Sequence, residues 1–170
     1  PIVVKADGLA SGKGVIICTN KDQAKKAIDL IIKQRKFGSA GDKIIIEEFL
    51  DGFEVSYFAF FDKNGFSKLG YALDHKRAYE NDKGPNTGGM GCFYPSNMIS
   101  KKIEKEIKEK ILIPTSEGLK KENLIYRGIL FFGLMITKNG PFVIEYNVRF
   151  GDPECQILLR NLQTDLLKII

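Results

Sequence analysis

The chain has 170 residues, a formal net charge of +5 and a hydrophobic content of 44%, enough to build one domain or two small lobes. No apolar run reaches the roughly 18–20 residues that a membrane-spanning helix needs, so we expect no membrane partner. The lysines alternate with acidic residues, as in segment 101–110, which is typical of a solvated helix face and argues against a nucleic-acid partner. The three cysteines are widely separated, which favours a reducing, cytoplasmic environment.

Residues 1–52 predict a small α+β lobe. Strands are predicted over 2–5 and 14–18, joined as a hairpin by the glycine-rich segment 8–14, and a third strand over 43–50. Between them Asn20 is expected to cap a helix. The apolar positions of that helix have the spacing of one buried stripe: Ala24, Ala27, Ile28, Ile31 and Ile32.

Residues 53–170 predict a larger lobe built on a mostly antiparallel sheet. Lys-Asn-Gly occurs at 63–65 and again at 138–140, each time between two apolar runs, and Asn-Gly in that setting is a strong hairpin signal. Ser100 is expected to begin a helix, and Asp152 to cap a last helix that continues to Leu166. Because the chain begins at Pro1 without methionine and enters a strand at once, we expect it to be part of a longer protein.

The segment 142–150 is predicted to be a strand with a polar face. Alternate side chains of a strand share a face, so Val143, Glu145, Asn147 and Arg149 are expected to point the same way. A carboxylate, an amide oxygen and a guanidinium in one row suit a hard cation and an anion. The alternative is an edge strand with one solvated face, and alternation by itself does not separate the two.

The glycine-rich segment 8–14 suggests contact with phosphate. It is not a P-loop, because only three residues separate Gly8 from Gly12 and no Ser or Thr follows Lys13. Its backbone N–H groups and Lys13 could still reach phosphate oxygens, with Lys5 adding a charge. A simple turn is the alternative.

A second glycine-rich segment, 84–91, follows Asp74 and Lys76. Such a segment commonly lets a ligand or another backbone approach closely, and the neighbouring polar groups suit a small charged substrate. The single histidine, His75, has no nucleophile partner in the sequence, so a structural or hydrogen-bonding role is expected for it.

These segments, with Glu47-Glu48-Phe49-Leu50 between them, follow each other in the order and spacing of an ATP-grasp ligase. The chain most closely resembles the glycinamide ribonucleotide synthetase family, through Gly-Pro-Asn-Thr-Gly-Gly-Met-Gly at 84–91 and Asn-Val-Arg-Phe-Gly-Asp-Pro-Glu at 147–154. The resemblance covers essentially all 170 residues. It implies an α+β ATP-grasp fold with two lobes, each a mostly antiparallel sheet flanked by helices, and N-terminal and C-terminal domains outside this chain.

The resemblance also implies an activity: ATP-dependent joining of glycine to the amino group of 5-phosphoribosylamine through a glycyl phosphate, in purine synthesis. ATP and Mg²⁺ or Mn²⁺ would be required, with ATP between the lobes and the small lobe covering its phosphates. Because the protein's work would be positioning and charge neutralisation, no base–nucleophile pair is needed.

The site residues implied by the resemblance fall into four groups. Glu145 and Asn147 would be metal ligands, and Arg149 would bind the transferred phosphate or the glycine carboxylate. The nucleotide-binding residues would be Lys5, Gly12, Lys13, Gly14, Glu47, Glu48, Phe49, Leu50 and, at the ribose, Glu54. The substrate-facing residues would be Asp74, Lys76, Asn86, Thr87, Gly88 and Asp152. The neighbouring segment 133–136 offers no acid, so the number of metal ions stays open.

Three alternatives remain at this point. Another ATP-grasp ligase of the same pathway lacks a match to segment 84–91, and an inactive nucleotide-binding module would be expected to carry damaged motifs. A basic nucleic-acid-binding domain predicts salt-sensitive binding to strands, whereas the ligase interpretation predicts Mg²⁺-dependent binding of ATP.

Overall fold

The computed structural model describes residues 1–10, 13–80 and 83–169. Contacts within the chain divide it into two compact units, Pro1–Leu50 and Asp51–Ile170. The predicted boundary lay two residues further on, after residue 52. None of the helices in the described ranges is long and apolar enough to cross a membrane.

The first unit is a three-stranded antiparallel sheet with a helix on one face. Its strands are β1 (Ile2–Ala6), β2 (Val15–Cys18) and β3 (Ile44–Glu48), in the order β2-β1-β3. Helix α1 (Lys21–Ile28) continues into a π-helical turn at Asp29–Lys33, and a 3₁₀ turn follows at Gly38–Gly41. Both pairings of β1 are antiparallel, so the predicted hairpin of the first two strands is confirmed.

Helix α1 begins where the sequence predicts, because the Asn20 side chain accepts a hydrogen bond from the Gln23 N–H at 2.9 Å. Its apolar face covers the sheet through a core of five buried residues: Val4, Cys18, Ala24, Ala27 and Ile31. Ile32 does not belong to this core and is 42% exposed. The π-helical turn widens the helix at that point and rotates the following side chains, which the 3.6-residue spacing cannot anticipate.

The second unit is a five-stranded antiparallel sheet, in the order β10-β9-β4-β5-β8, with a separate two-stranded ribbon of β6 and β7. The strands are β4 (Gly52–Phe61), β5 (Phe66–Asp74), β6 (Arg77–Tyr79), β7 (Lys83–Asn86), β8 (Cys92–Phe93), β9 (Gly128–Thr137) and β10 (Gly140–Asn147). The helices are α2 (Lys101–Ile107), α3 (Ile113–Lys121) and α4 (Glu154–Asn161), with a π-helical turn at Lys108–Leu112 and a 3₁₀ turn at Leu166–Lys168. Both predicted Lys-Asn-Gly hairpins are confirmed, as β4–β5 and β9–β10.

The five-stranded sheet has a core on each face. On one face Tyr57 and Phe132 pack against Ile107 and Leu112 of the α2–α3 region. On the opposite face Phe58 stacks on Phe131, with ring centroids 4.8 Å apart, and Leu158 of α4 packs against them. Aromatic side chains on successive residues thus bury both faces of the same strand pair.

The predicted polar face of 142–150 is partly wrong. Strand β10 ends at Asn147, so Arg149 lies beyond it. A register shift between Val143 and Glu145 places an extra residue in β10, and such a bulge reverses the alternation that follows. Val143 therefore packs against the Tyr57 side of the sheet, whereas Glu145 and Asn147 lie on the other face.

The predicted helix ends are confirmed at Ser100 and wrong at Asp152. Ser100 accepts a hydrogen bond from the Ile103 N–H, whereas helix α4 begins at Glu154 with Pro153 in the capping position. The Asp152 carboxylate accepts instead from the Gln156 side chain at 2.9 Å. Helix α4 also ends at Asn161, before Leu166, because Leu162 adopts an extended backbone with ψ of 119°.

Candidate active site

One face of the first unit's sheet is left uncovered by helix α1. Strand register places Val15 and Ile45 beside Lys5 in one row, and Ile17 and Glu47 beside Val3 in the next. Three apolar side chains on this face are far from buried: Val15 is 49% exposed, Ile17 48% and Ile45 41%. We call this surface, made of Val3, Lys5, Val15, Ile17, Ile45 and Glu47, the open sheet face.

A single ion pair lies within the open sheet face. The Lys5 Nζ is 2.6 Å from Glu47 Oε2, and the Lys5 side chain is only 18% exposed. A flat apolar surface with a charged pair inside it can hold a planar apolar ring together with a charged substituent. The structure therefore brings together Lys5 and Glu47, which were both predicted as nucleotide-binding residues, among apolar residues that the sequence prediction did not identify.

The apolar residues of the open sheet face could have been found from the sequence. Segments 15–17 and 44–46 are apolar at every position, whereas a strand with one covered face and one solvated face alternates. Continuous apolar runs thus indicate that the open sheet face is also covered, by a group other than α1. Glu48, one residue after Glu47, falls on the α1 side of the sheet and not on the open sheet face.

The other predicted nucleotide-binding residues of this unit lie around the sheet. Phe49 and Leu50 follow β3, and Phe49 is 38% exposed. Lys13 is exposed, while Gly14 is buried and its carbonyl accepts the Ala6 N–H at 2.8 Å. Gly12 lies outside the described residues.

In the second unit, the two strands on either side of β9 bring polar side chains to the sheet face of Phe58. Ser56 of β4 and Glu145 of β10 both pair with Gly133 of β9, and Asn147 pairs with Phe131. A Cβ atom on Gly133 would lie 2.6 Å from Glu145 Cγ. Only glycine at 133 therefore lets the Glu145 side chain cross over β9 in this way.

Lys76 connects the predicted substrate-binding and nucleotide-binding residues. Its Nζ is 2.7 Å from Glu54 Oε2, so Glu54 is already engaged on one oxygen. Burial works against the charge of Lys76, but Glu54, and more weakly Glu145 and Asp74, raise its pKa above the ordinary value. Lys76 therefore stays charged among these carboxylates.

Asp74 is held in an unfavourable environment for a carboxylate. Burial and the nearby Glu154 raise the pKa of Asp74 to about 6, Glu54 adds to the shift, and Lys76 and His75 partly offset it. Its Oδ1 atom is buried and has no hydrogen-bond partner among the described residues. A buried, unpaired carboxylate oxygen is costly, which marks Asp74 as a functional candidate.

Glu154 is a buried acid that the sequence prediction missed. It is 3% exposed and accepts a hydrogen bond from the Ser56 hydroxyl at 2.8 Å. In the sequence, Glu154 follows Asp152 and Pro153 at the start of the predicted last helix. That position was the only feature that set it apart from other acidic residues. Its charge acts on Asp74 from α4, on the same side of the sheet.

The remaining predicted residues are less closely grouped. Arg149 is exposed, and its Nη1 donates to the Phe150 carbonyl at 2.8 Å. Gly88 is exposed with open space around it. Asn86 ends β7 opposite Arg77, and Thr87 bonds to the backbone of Lys76.

The oxygen ligands of a divalent cation are partly present. Glu145 is exposed, its carboxylate has no hydrogen-bond partner among the described residues, and it shares its strand face with Asn147. In the described parts of the chain no three His, Cys, Asp or Glu side chains form a group that could hold a metal ion. Two protein oxygens nevertheless fit Mg²⁺, which keeps several waters and takes its other ligands from phosphates.

The fold is that of an ATP-grasp domain. A biotin carboxylase domain from Hydrogenobacter thermophilus, solved in complex with MgADP and bicarbonate, has the same fold, with a TM-score of 0.67. The likeness covers 99% of this chain and 35% of that one at 19% identity, and so concerns the fold alone.

The chain belongs to the family described as phosphoribosylglycinamide synthetase, ATP-grasp (A) domain, whose model matches residues 1–155. Phosphoribosylamine–glycine ligase from Caldanaerobacter subterraneus subsp. tengcongensis is 53% identical over 170 residues, all of this chain and 41% of the relative. The crystal structure of the Thermotoga maritima phosphoribosylamine–glycine ligase matches with a TM-score of 0.83 and 41% identity, over 94% of this chain and 40% of that one. The chain thus spans about two fifths of the length of these relatives.

Proposed function

We propose that this chain is the ATP-grasp part of an enzyme that joins glycine to 5-phosphoribosylamine with hydrolysis of ATP to ADP and phosphate. The observation that carries the proposal is the 53% identity, over the whole chain, to a phosphoribosylamine–glycine ligase. The open sheet face and the polar surface around Lys76 supply, within the two units, groups that suit a nucleotide and small charged substrates.

The chemistry requires activation of a carboxylate. A glycine carboxylate oxygen attacks the γ-phosphorus of ATP, ADP leaves, and glycyl phosphate forms. The amine of phosphoribosylamine then attacks the carbonyl carbon, loses a proton and expels phosphate, leaving an amide. The chain's contribution is to hold the reactants in line, neutralise charge and keep water from the acyl phosphate.

The first unit would bind the nucleotide. The apolar side chains of the open sheet face would pack on the adenine ring, and Lys5 would place its ammonium near the phosphates. Lys13, which is exposed on the glycine-rich segment, would add a second charge there. In the second unit, Glu54 would bind ribose through the carboxylate oxygen that does not bind Lys76.

Glu145 and Asn147 would hold Mg²⁺, or the similarly oxygen-preferring Mn²⁺, through their side-chain oxygens. When bound, such an ion neutralises charge on the phosphates. Arg149 would bind the transferred phosphate or the glycine carboxylate with its planar guanidinium. Asp74, Lys76, Gly88 and Asp152 would face glycine and phosphoribosylamine.

We also place the whole protein in the cytoplasm, with N-terminal and C-terminal domains in addition to this chain. The three cysteines are free thiols, which supports a reducing compartment. The chain covers 41% of the Caldanaerobacter ligase, and the remaining length of that relative supports the additional domains.

A coupled ADP-release assay on the full-length protein tests the proposed function. ADP release is expected only when glycine, phosphoribosylamine and Mg²⁺ are all present. Release that is indifferent to both substrates would overturn the substrate assignment, and release that requires another carboxylate would favour a different ATP-grasp ligase.

A further inference from the structure

The second glycine-rich segment is tied to the residues that follow β5. The Thr87 N–H donates to the Lys76 carbonyl at 2.7 Å, and the Met90 N–H donates to the His75 carbonyl at 2.8 Å. In the opposite direction, the His75 N–H donates to the Gly91 carbonyl at 2.9 Å. We call residues 87–91, held in this way, the latch.

Thr87 completes the latch with its side chain. The hydroxyl donates to the Lys76 carbonyl at 2.9 Å and accepts from the Gly89 N–H at 3.1 Å. A threonine hydroxyl has one hydrogen to donate, and here it is used within the protein. The Thr87 hydroxyl is thus not available as a donor to a substrate while it donates to the Lys76 carbonyl.

Gly89 fits the latch against a second segment. A Cβ atom at this position would lie 2.7 Å from Pro153 Cδ and 3.2 Å from Asp74 Oδ1, and the backbone φ of +119° also favours glycine. The Cys92 thiol, just after the latch, donates to the Pro153 carbonyl at 3.4 Å. The latch therefore fills the space between Asp74 and the Asp152–Pro153 turn.

The latch contacts residues whose side chains take part in the proposed function. It bonds to the backbone of His75 and Lys76, while the Lys76 ammonium binds Glu54 and the Asp74 carboxyl lies against Gly89. We propose that Thr87 is a positioning residue, which acts through Lys76 and makes no contact with substrate. This inference rests on the proposed function and replaces the substrate-binding role expected for Thr87 from the sequence.

Two substitutions in the full-length protein separate positioning from substrate contact. Thr87→Val keeps the shape and removes the hydroxyl, whereas Thr87→Ser keeps both hydrogen bonds. We expect Thr87→Val to lower kcat about tenfold or more with KM for both substrates changed less than threefold, because small misplacements reduce the rate strongly. Thr87→Ser should restore kcat to within about threefold of the wild type. An increase in KM as the main effect of Thr87→Val would overturn the proposal.

Thr137 provides a matched control. Its hydroxyl also donates to a carbonyl, that of Gly140 at 3.1 Å, and accepts from the N–H two residues later, that of Asn139 at 3.0 Å. Thr137→Val therefore removes two hydrogen bonds of the same kind from the turn between β9 and β10, which carries none of the proposed site residues. Its kcat should stay within about twofold of the wild type. A loss equal to that of Thr87→Val would contradict a specific role of the latch.

A double-mutant cycle tests whether Thr87 acts through Lys76. The Lys76→Met substitution removes the ammonium, so a shift of residue 76 should then have no further effect on kcat. Adding Thr87→Val to Lys76→Met should therefore lower kcat less than twofold. If the double variant instead lost kcat by the product of the two single losses, the two residues would act independently and the proposal would be overturned.

Amide hydrogen exchange tests the latch without relying on activity. Thr87→Val should speed exchange of the Thr87, Gly89 and Met90 amides about tenfold, with the β4–β9 amides unchanged and Thr87→Ser like the wild type. Unchanged exchange in Thr87→Val would refute the latch. An inactive wild type with the expected exchange pattern would refute the proposed function and leave the latch standing.

Discussion

Asp74 and Lys76, two residues apart, are charged groups whose state depends on the same neighbours. Glu54 contacts Lys76 directly and repels Asp74, so one carboxylate stabilises the charge of the lysine and disfavours that of the aspartate. The buried Glu154 repels Asp74 from α4. Such opposed effects are common where stability is given up for function.

Asp74 should make folding stability depend on pH. Its pKa of about 6 lies above the ordinary 3.8, so between about pH 4 and pH 6 the folded state binds more protons than the unfolded state. The contribution of this group is thus greatest below pH 4 and is lost as the pH rises through 6. Asp74→Asn cannot ionise, so its stability relative to wild type should rise from pH 4 to pH 7 and then level off. Urea unfolding at several pH values measures this, and parallel stability curves would contradict it.

Glu145 should be essential for ligation and dispensable for folding. The Glu145→Ala substitution removes an exposed carboxylate that has no hydrogen-bond partner among the described residues, so the fold should persist. Activity of the full-length protein should fall at least about a hundredfold, because Mg²⁺ would lose one of the two protein ligands proposed for it. Glu117→Ala, which removes another exposed glutamate, is the control and should remain active. Near-normal turnover in Glu145→Ala would defeat the metal assignment.

At the level of elements, the strands that carry function depart from simple alternation. The bulge in β10 moves Glu145 and Asn147 to the face opposite Val143, and β2 and the first three residues of β3 are apolar on both faces. A bulge depends on the neighbouring strand, so alternation along β10 alone could not predict it.

The open sheet face should be required for ATP binding. The Ile45→Gln substitution places an amide on this face, and ATP affinity of the full-length protein should fall about tenfold, as expected for loss of a buried apolar contact. Ile125→Gln is the control, because Ile125 is 98% exposed in the second unit. Isothermal titration with ATP and Mg²⁺ measures both affinities. Equal affinities in the two variants would contradict the role of this face.

The sequence predicted more of the elements than of the contacts between them. Both Lys-Asn-Gly hairpins and the caps at Asn20 and Ser100 are local, since a few neighbouring residues determine them, and all four were found. The Glu54–Lys76 pair joins residues 22 positions apart, and the Ser56–Glu154 bond joins residues 98 apart. No local pattern encodes such pairs, so they required the structure.

At the level of the whole molecule, the two units divide the work of the proposed reaction. The open sheet face belongs to the first unit, and the carboxylates around Lys76 belong to the second. The family match spans both units, through residue 155. In the proposed reaction both units would serve one chemical step, the conversion of a carboxylate into an acyl phosphate.

Transfer of ¹⁸O from glycine to phosphate is the most direct test for the acyl phosphate. The full-length protein is supplied with ATP, Mg²⁺, phosphoribosylamine and glycine carrying ¹⁸O in both carboxylate oxygens, and the phosphate product is analysed by mass spectrometry. If glycyl phosphate is formed, each phosphate released should contain one ¹⁸O atom and each amide formed should retain one. Phosphate that contains no ¹⁸O, from an enzyme that still forms the amide, would contradict it.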